Sequence, residues 1–232
     1  MKIFQHTLAL TLATLLVTIP ISSYAGSKET ATIWSAVQVL EDVLNDASEE
    51  SIPTSLLRKG DGVIILPGML SVGFGVGVSH GNGIMLFRKD GVWNNPVFVS
   101  MNSASYGYQI GAQSSDVILS FKRPNTIDSL LDGKLTLGVD AAISAGPIGR
   151  DTTIATDPTL KTEIYSWSRS RGLFVGVALD GSALTVNNDA NASFYDKPGI
   201  SAEDIIGQPT DNRSSGLRRL KVLLNQHISG EK

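Results

Sequence analysis

The chain has 232 residues, 19 Lys and Arg against 22 Asp and Glu, no cysteine, and 42% hydrophobic residues. A formal charge of −3 argues against a nucleic-acid binder that works through net positive charge, and the absence of cysteine excludes disulfide staples, a thiol nucleophile and a Cys/His zinc cluster. This length and composition predict one globular domain with a core of its own.

Residues 1–25 read differently from the rest. Lys2 precedes the apolar run LALTLATLLVTIPI (8–21), and Ser23-Tyr24-Ala25 places small residues at the −3 and −1 positions of a cleavage site. The run is short for a membrane span and Pro20 interrupts it. The sequence therefore predicts a secretory signal peptide cut after Ala25 and a periplasmic or secreted protein. No cysteine follows the apolar run, so no lipid anchor is expected. Cleavage removes Lys2 and no acid, leaving the remaining chain more acidic.

Residues 28–47 carry a helical period: Ile33, Val37, Leu40, Leu44 and Ala47 line one face, with Glu41, Asp42 and Asp46 on others. SLLRKG (55–60) suggests a helical turn closed by Gly60, and it holds the basic pair Arg58-Lys59. From Asp61 the pattern changes to short runs rich in Val, Ile, Phe and Tyr. These are GVIILP, SVGFGVGV, GIMLFR, PVFVSM, YGYQIGA, DVILSF, LTLGVDAAIS, EIYSWSRS, GLFVGVAL and ALTV. SHGNG, KDGVW and LDGSA read as hairpin turns between strands. NTIDSLLDGK predicts a short helix capped by Asn125 or Thr126 and stopped by Gly133. SAEDII suggests one helical turn in an otherwise loop-like stretch after Tyr195.

The chain closes with an amphipathic helix over 216–228, apolar through Leu217, Leu220, Leu224 and Ile228 and basic at Arg218, Arg219 and Lys221. The fold class expected is α+β. A mostly antiparallel, many-stranded sheet forms a barrel or sandwich, with the N- and C-terminal amphipathic helices packed on it, in a single domain over 26–232.

GFGVGVSHGNG (73–83) follows a strand-like run, as a dinucleotide loop does. Gly73, Gly75 and Gly77 recur at period two, however, and the next segment, IMLFR, is a strand where a phosphate-binding loop requires a helix. On a strand these glycines share one bare face, opposite Phe74, Val76 and Val78. That face admits close approach, by a helix or sheet corner or by a ligand or partner.

Catalytic constellations are missing from the sequence. The histidines are His6, His80 and His227, and neither H-E-x-x-H nor G-x-S-x-G occurs. Asp116, Asp140, Asp151, Asp157 and Asp180 have the spacing of turns and strand ends, not of a carboxylate dyad. No enzyme, metal or cofactor is expected. The basic clusters Arg58-Lys59, Arg169 with Arg171, and Arg218-Arg219 with Lys221 suit anionic-lipid contact, at about 1 kcal/mol per Lys or Arg near an acidic surface, or ordinary solvated charge. Asn191-Ala-Ser193 and Asn212-Arg-Ser214 match the N-glycosylation pattern.

Five blocks in order resemble the SYLF domain: IPTSLLRKGDGVIILPGMLSVGFGVGVSHGNGIMLFRKDGVWNNPVFVSM, YGYQIGAQSSDVILSF, GKLTLGVDAAISAGPIGR, EIYSWSRSRGLFVGVALDGSALT and NASFYD. The resemblance covers about residues 30–196. It implies a lipid-binding module: eukaryotic members bind phosphoinositides or other acidic lipids, some fungal members bind actin filaments, and lipid contact is associated with an N-terminal amphipathic helix and nearby basic residues. Two departures stand out. Ser71-Val72 replaces the lysine that members often place before GFG, and the N-terminal helix carries Glu41, Asp42 and Asp46. Arg58, Lys59, Arg169 and Arg171 are the candidate headgroup contacts that remain, and Arg218, Arg219 and Lys221 the candidates on the last helix.

The function expected is a non-enzymatic lipid- or membrane-binding protein of the cell envelope that contacts acidic phospholipids. The alternative is an envelope structural or interaction protein that binds a protein partner through the face of Gly73, Gly75 and Gly77.

Overall fold

The computed structural model describes residues 27–45, 60–121, 124–141, 143–145, 164–171, 179, 181–209, 211 and 214–227. The expected signal peptide, Arg58, Lys59 and most of GLFVGVAL lie outside them. In chain order the elements are α1 (Ser27–Asn45), β1 (Gly62–Lys89), β2 (Val92–Trp93), β3 (Val97–Phe121), α2 (Pro124–Leu131), β4 (Lys134–Thr136), β5 (Ile143–Ala145), β6 (Ile164–Arg171), β7 (Ala183–Val186), α3 (Asn188–Tyr195), α4 (Ala202–Gly207) and α5 (Ser215–His227). The seven strands form one sheet in the order β2-β1-β3-β6-β5, with β7 also on β3 and β4 on β7. Every pairing is antiparallel except β5 with β6. The result is the expected α+β class, realised as a curled half-barrel.

One long ribbon organises it. β1 and β3 pair from Gly62↔Phe121 to Met85↔Val97. Sequence punctuation predicts six strands here, but SHGNG is not a turn and β1 runs through it. Glycine bends β1 without ending it, because the β3 ladder continues on one side. A bulge at Pro67-Gly68 adds a residue opposite Asp116. Gly68 there has φ +59, and its N–H donates to Asp116 Oδ1 at 2.9 Å. At the second irregularity, residues 107–109 of β3 face Gly75 alone.

The ribbon folds back on itself around Gly75. Eight residues of straight strand span about 26 Å, yet Ser71 Oγ and Ser79 Oγ hydrogen-bond at 2.8 Å. Further down the same face, a Cβ on Gly81 would lie 3.0 Å from Met69 Cβ, and one on Gly83 would overlap the Ile65 carbonyl. The bare face therefore receives the other limb of its own strand. Beside Gly73, Gly75 and Gly77 this face is thus closely approached at Ser71, Ser79, Gly81 and Gly83, where the neighbour is β1 itself.

Two cores follow from the two faces of the ribbon base. Inside the fold, Ile64, Leu66, Met69, Met85, Val99 and Met101 pack with residues of α2, β4, β7, α3 and α4. Outside, Val63, Ile65, Ile84, Leu86, Phe98 and Ile118 are covered by α1 and α5. Ile33, Val37 and Leu40 of α1 and Leu217, Leu220 and Leu224 of α5 all point into this second core, as their helical period predicts. The KDG turn has the expected form, with φ +53 at Asp90 and +81 at Gly91. Helix α3 is an element the sequence pattern did not announce. It begins at Asn187, whose side chain accepts from Ala190 N at 3.0 Å.

Candidate functional site

The two helices cover the outer face of the ribbon only at its base. Beyond Ile65 and before Ile84 the same face continues as Leu70, Val72, Phe74, Val76 and Val78, with nothing packed over it among the described residues. Phe74 is 81% exposed, and the other four range from 43% to 57%. Their cross-strand partners on β3 include Ala112 and Ala104, both exposed. The cause is local. In LSVGFGVGVS the even positions are apolar and the odd ones are Ser or Gly. Only the Ser/Gly face is small enough to fold onto itself, so the apolar face must turn outward. The usual rule for a half-buried strand is inverted at this crest.

Two predicted basic residues adjoin the crest. Arg171 stands opposite Ser114, which stands opposite Leu70, and Arg169 stands opposite Asp116. At ~4.8 Å per strand, the backbone of Arg171 lies about 10 Å across the sheet from that of Leu70. The Arg169 guanidinium is 3.8 Å from the Asp42 carboxylate of α1, and both side chains are about half exposed. A pair this solvated contributes little and leaves Arg169 available to another anion.

The basic residues of α5 are placed otherwise. Arg218 borders a separate cleft of about 380 Å³ with Gly91, Val92, Trp93 and Val222. Arg219 donates to Glu41 Oε1 at 2.7 Å and ties α5 to α1. Lys221 is a correction to the surface role expected for it: it is 7% exposed, and its ammonium donates to Asn95 Oδ1 at 3.4 Å and to the Asp211 carbonyl at 3.2 Å. The apolar face of α5 is likewise committed to the core. Moving it into lipid would exchange one burial for another of the same size, about 1.5–3 kcal/mol per leucine, with no net gain.

Burial lowers the Lys221 pKa from 10.5 to about 8, against a smaller raising effect of Asp211. Between those values the folded chain binds fewer protons than the unfolded one, so this residue's stabilising effect is complete above pH 10.5 and is lost as pH falls through 8. Urea unfolding should therefore find the wild type gaining stability from neutral to alkaline pH relative to Lys221→Met, by on the order of 2 kcal/mol. Parallel pH profiles for the two proteins would refute a buried, titrating lysine.

Other candidate residues have structural employment. Asp116 clips the bulge, and Asp140 Oδ2 accepts from Thr136 N at 2.6 Å in a turn. His80 hydrogen-bonds Asn102 and Asn82 on the ribbon. Asn191 is fully buried and takes a strand's place beside Phe98, accepting from its N–H at 2.8 Å and donating to its carbonyl at 3.3 Å. Such a residue is not available to a glycan, which corrects the glycosylation reading at that position. Asp151, Asp157, Asp180 and Asn212 lie outside the described residues. Among the described residues, no three His, Cys, Asp or Glu cluster to hold a metal ion, and no helix is long and apolar enough to cross a membrane.

The architecture is thus a curled half-barrel with helices on both faces and an uncovered apolar crest. The family model described as Ysc84, Las17-binding protein actin regulator, matches residues 102–227. The chain belongs to this family, the SYLF-type domain that its sequence blocks resemble. It is 30% identical over 181 residues to LAS seventeen-binding protein 3 of Saccharomyces cerevisiae, covering 76% of this chain and 39% of that one. It is 31% identical over 152 residues to Protein YSC84 of the same yeast, covering 64% and 32%. With SH3 domain-containing YSC84-like protein 1 of Mus musculus it shares 30% over 160 residues, covering 68% and 46%. The chain thus spans less than half the length of these relatives.

Proposed function

We propose that this chain is a non-enzymatic membrane-binding module of the cell envelope, reached by export under the signal-like residues 1–25. The crest of the β1–β3 ribbon enters the membrane surface, and Arg169 and Arg171 contact acidic headgroups beside it. The observation that carries this reading is the uncovered stripe Leu70, Val72, Phe74, Val76 and Val78. A contiguous exposed apolar patch marks an interaction site. This one is convex and two strands wide, a shape that suits insertion into an acyl layer, which needs no matching groove. The acidic-lipid binding implied by the family resemblance supports the same occupant.

The depth of insertion is limited by the backbone. Along residues 70–78 β1 pairs with β3 alone among the described residues, so none of these offers partners to the N–H and C=O groups of its other edge. Such groups cost several kcal/mol each in hydrocarbon. The crest therefore rests in the interfacial zone. Glu41 of α1 is held by Arg219, which reduces its repulsion of an anionic surface.

The test is co-sedimentation of the purified chain with zwitterionic and anionic vesicles at low and high salt. Binding to both is expected, stronger on anionic vesicles at low salt. Replacing Arg169 and Arg171 by glutamine should remove the salt-sensitive part, worth about 1 kcal/mol per arginine. No binding to either vesicle would sink the membrane reading and leave the crest to a protein partner. The face of Gly73, Gly75 and Gly77 is a narrower contact for such a partner, since the limbs of β1 meet beside it at Ser71 and Ser79.

A further inference from the structure

Away from the crest, α1 begins over a cleft of about 380 Å³ lined by Lys28, Glu29 and Thr32 of α1, Asn82, Phe98 and Asn187 of the sheet side, and Asp189 of α3. This lies within the range of about 300–1,000 Å³ usual for small-molecule sites. Glu29 is the anomaly there. It is only 8% exposed, and its Oε2 is shielded from solvent with no hydrogen-bond partner among the described residues. An ionised carboxylate can only accept hydrogen bonds, and a buried one without a donor is held at a cost.

The hydroxyl and amide donors of Thr32, Asn82 and Asn187 are already engaged. Asn187 Nδ2 donates to Ser100 Oγ at 3.0 Å and to Asn82 Oδ1 at 3.4 Å. Asn82 Nδ2 is bonded to His80 Nε2 at 3.2 Å, and Thr32 Oγ1 donates to the Lys28 carbonyl at 3.1 Å. This network fixes the cleft wall and donates nothing to Glu29 Oε2. A second carboxylate, Asp189, stands on the rim, against the single cation of Lys28. Phe98 and Ala190 supply an apolar side.

We propose that this cleft binds a small organic primary ammonium, whose N–H groups donate to Glu29 while its carbon chain lies along Phe98 and Ala190. A charge-assisted N⁺–H···O⁻ bond supplies what Glu29 lacks, and it is about twice as strong as a neutral one. The ammonium has two natural sources, a free amine or amino alcohol and the ethanolamine headgroup of a phospholipid. The inference does not depend on insertion of the crest, since the cleft lies at the base of the ribbon, beside Asn82 and Gly83.

The experiment is a titration of the purified chain with ethanolamine, followed by backbone amide NMR shifts around Asn82, Asn187 and Ala190. Saturable shifts are expected with ethanolamine. Choline, which has no N–H donor, should bind at least about tenfold more weakly. Glu29→Gln should abolish saturation while unfolding at the same or a higher temperature, because it removes an unpartnered buried carboxylate. A purely structural Glu29 would instead make that variant less stable. If the source is a lipid, phosphatidylethanolamine vesicles will compete with free ethanolamine; if it is a soluble amine, they will not. Shifts that never saturate, equal binding of choline, or saturation that survives Glu29→Gln would each overturn the proposal. Phe74→Thr serves as the control, and should leave the ethanolamine titration unchanged even where it weakens vesicle binding.

Discussion

Replacing Phe74 and Val76 together by threonine is expected to weaken vesicle partitioning about a hundredfold while leaving thermal unfolding unchanged. Burying a whole Phe or Val side chain is worth about 1.5–3 kcal/mol, whatever apolar medium receives it. Phe74 is 81% exposed and Val76 57% exposed, so most of that value is still unrealised in the free protein. Together they account for about 3 kcal/mol of transfer into the interfacial zone, hence two decades in partition coefficient. Threonine keeps the branched shape that strands favour and removes only the apolar gain. Neither side chain belongs to the two buried cores, so the fold does not rely on them. Vesicle binding at the wild-type level would show that the crest is not the contact surface. A large drop in unfolding temperature would mean instead that the crest packs against the rest of the chain, and the outward orientation would be wrong.

The sequence was most legible where one period governs a whole element. The helical spacing of Ile33, Val37 and Leu40, and of Leu217, Leu220 and Leu224, assigned both terminal helices and their buried faces, because a helix on a sheet buries one stripe and solvates the rest. It was least legible at β1. Glycine-rich SHGNG satisfies the rule for a hairpin turn, yet turn chemistry is permissive, and the β3 ladder beside it kept the strand extended. The candidate site was half visible. The bare glycine face could be read from period two, but it drew attention to the wrong side. Once Ser71 and Ser79 meet across the bend, Phe74, Val76 and Val78 have no direction left but outward. That inference needs the fold-back, which joins residues eight apart and leaves no periodic trace of its own. Glu29 was illegible for a different reason. An acidic residue in the first turn of a helix is ordinary helix chemistry, and only the surroundings of its side chain make it exceptional.

Gly83→Ala should destabilise the chain by about 3 kcal/mol, at the upper end of the cost of overpacking a core. Gly83 sits on the inner face of the second limb, opposite Val99 of β3. A Cβ there would overlap the Ile65 carbonyl and come within 2.9 Å of Leu66 Cα. The obstacle is backbone, so no rotamer change relieves it. Ile65 in turn is paired with Ile118 and cannot retreat without disturbing that ladder. Gly91→Ala is the matched control: its Cβ meets nothing within 4 Å, and only the positive φ of 81 opposes it. That change should cost about 1 kcal/mol. For a domain of this size the Gly83 variant should melt roughly 6–12 °C lower, and the Gly91 variant only about 2–4 °C lower. Urea midpoints, with the slope checked for constancy, would measure the difference directly. If the two alanines cost the same, the limbs do not press together at Gly83, and neither the fold-back nor the outward crest that depends on it could stand as drawn.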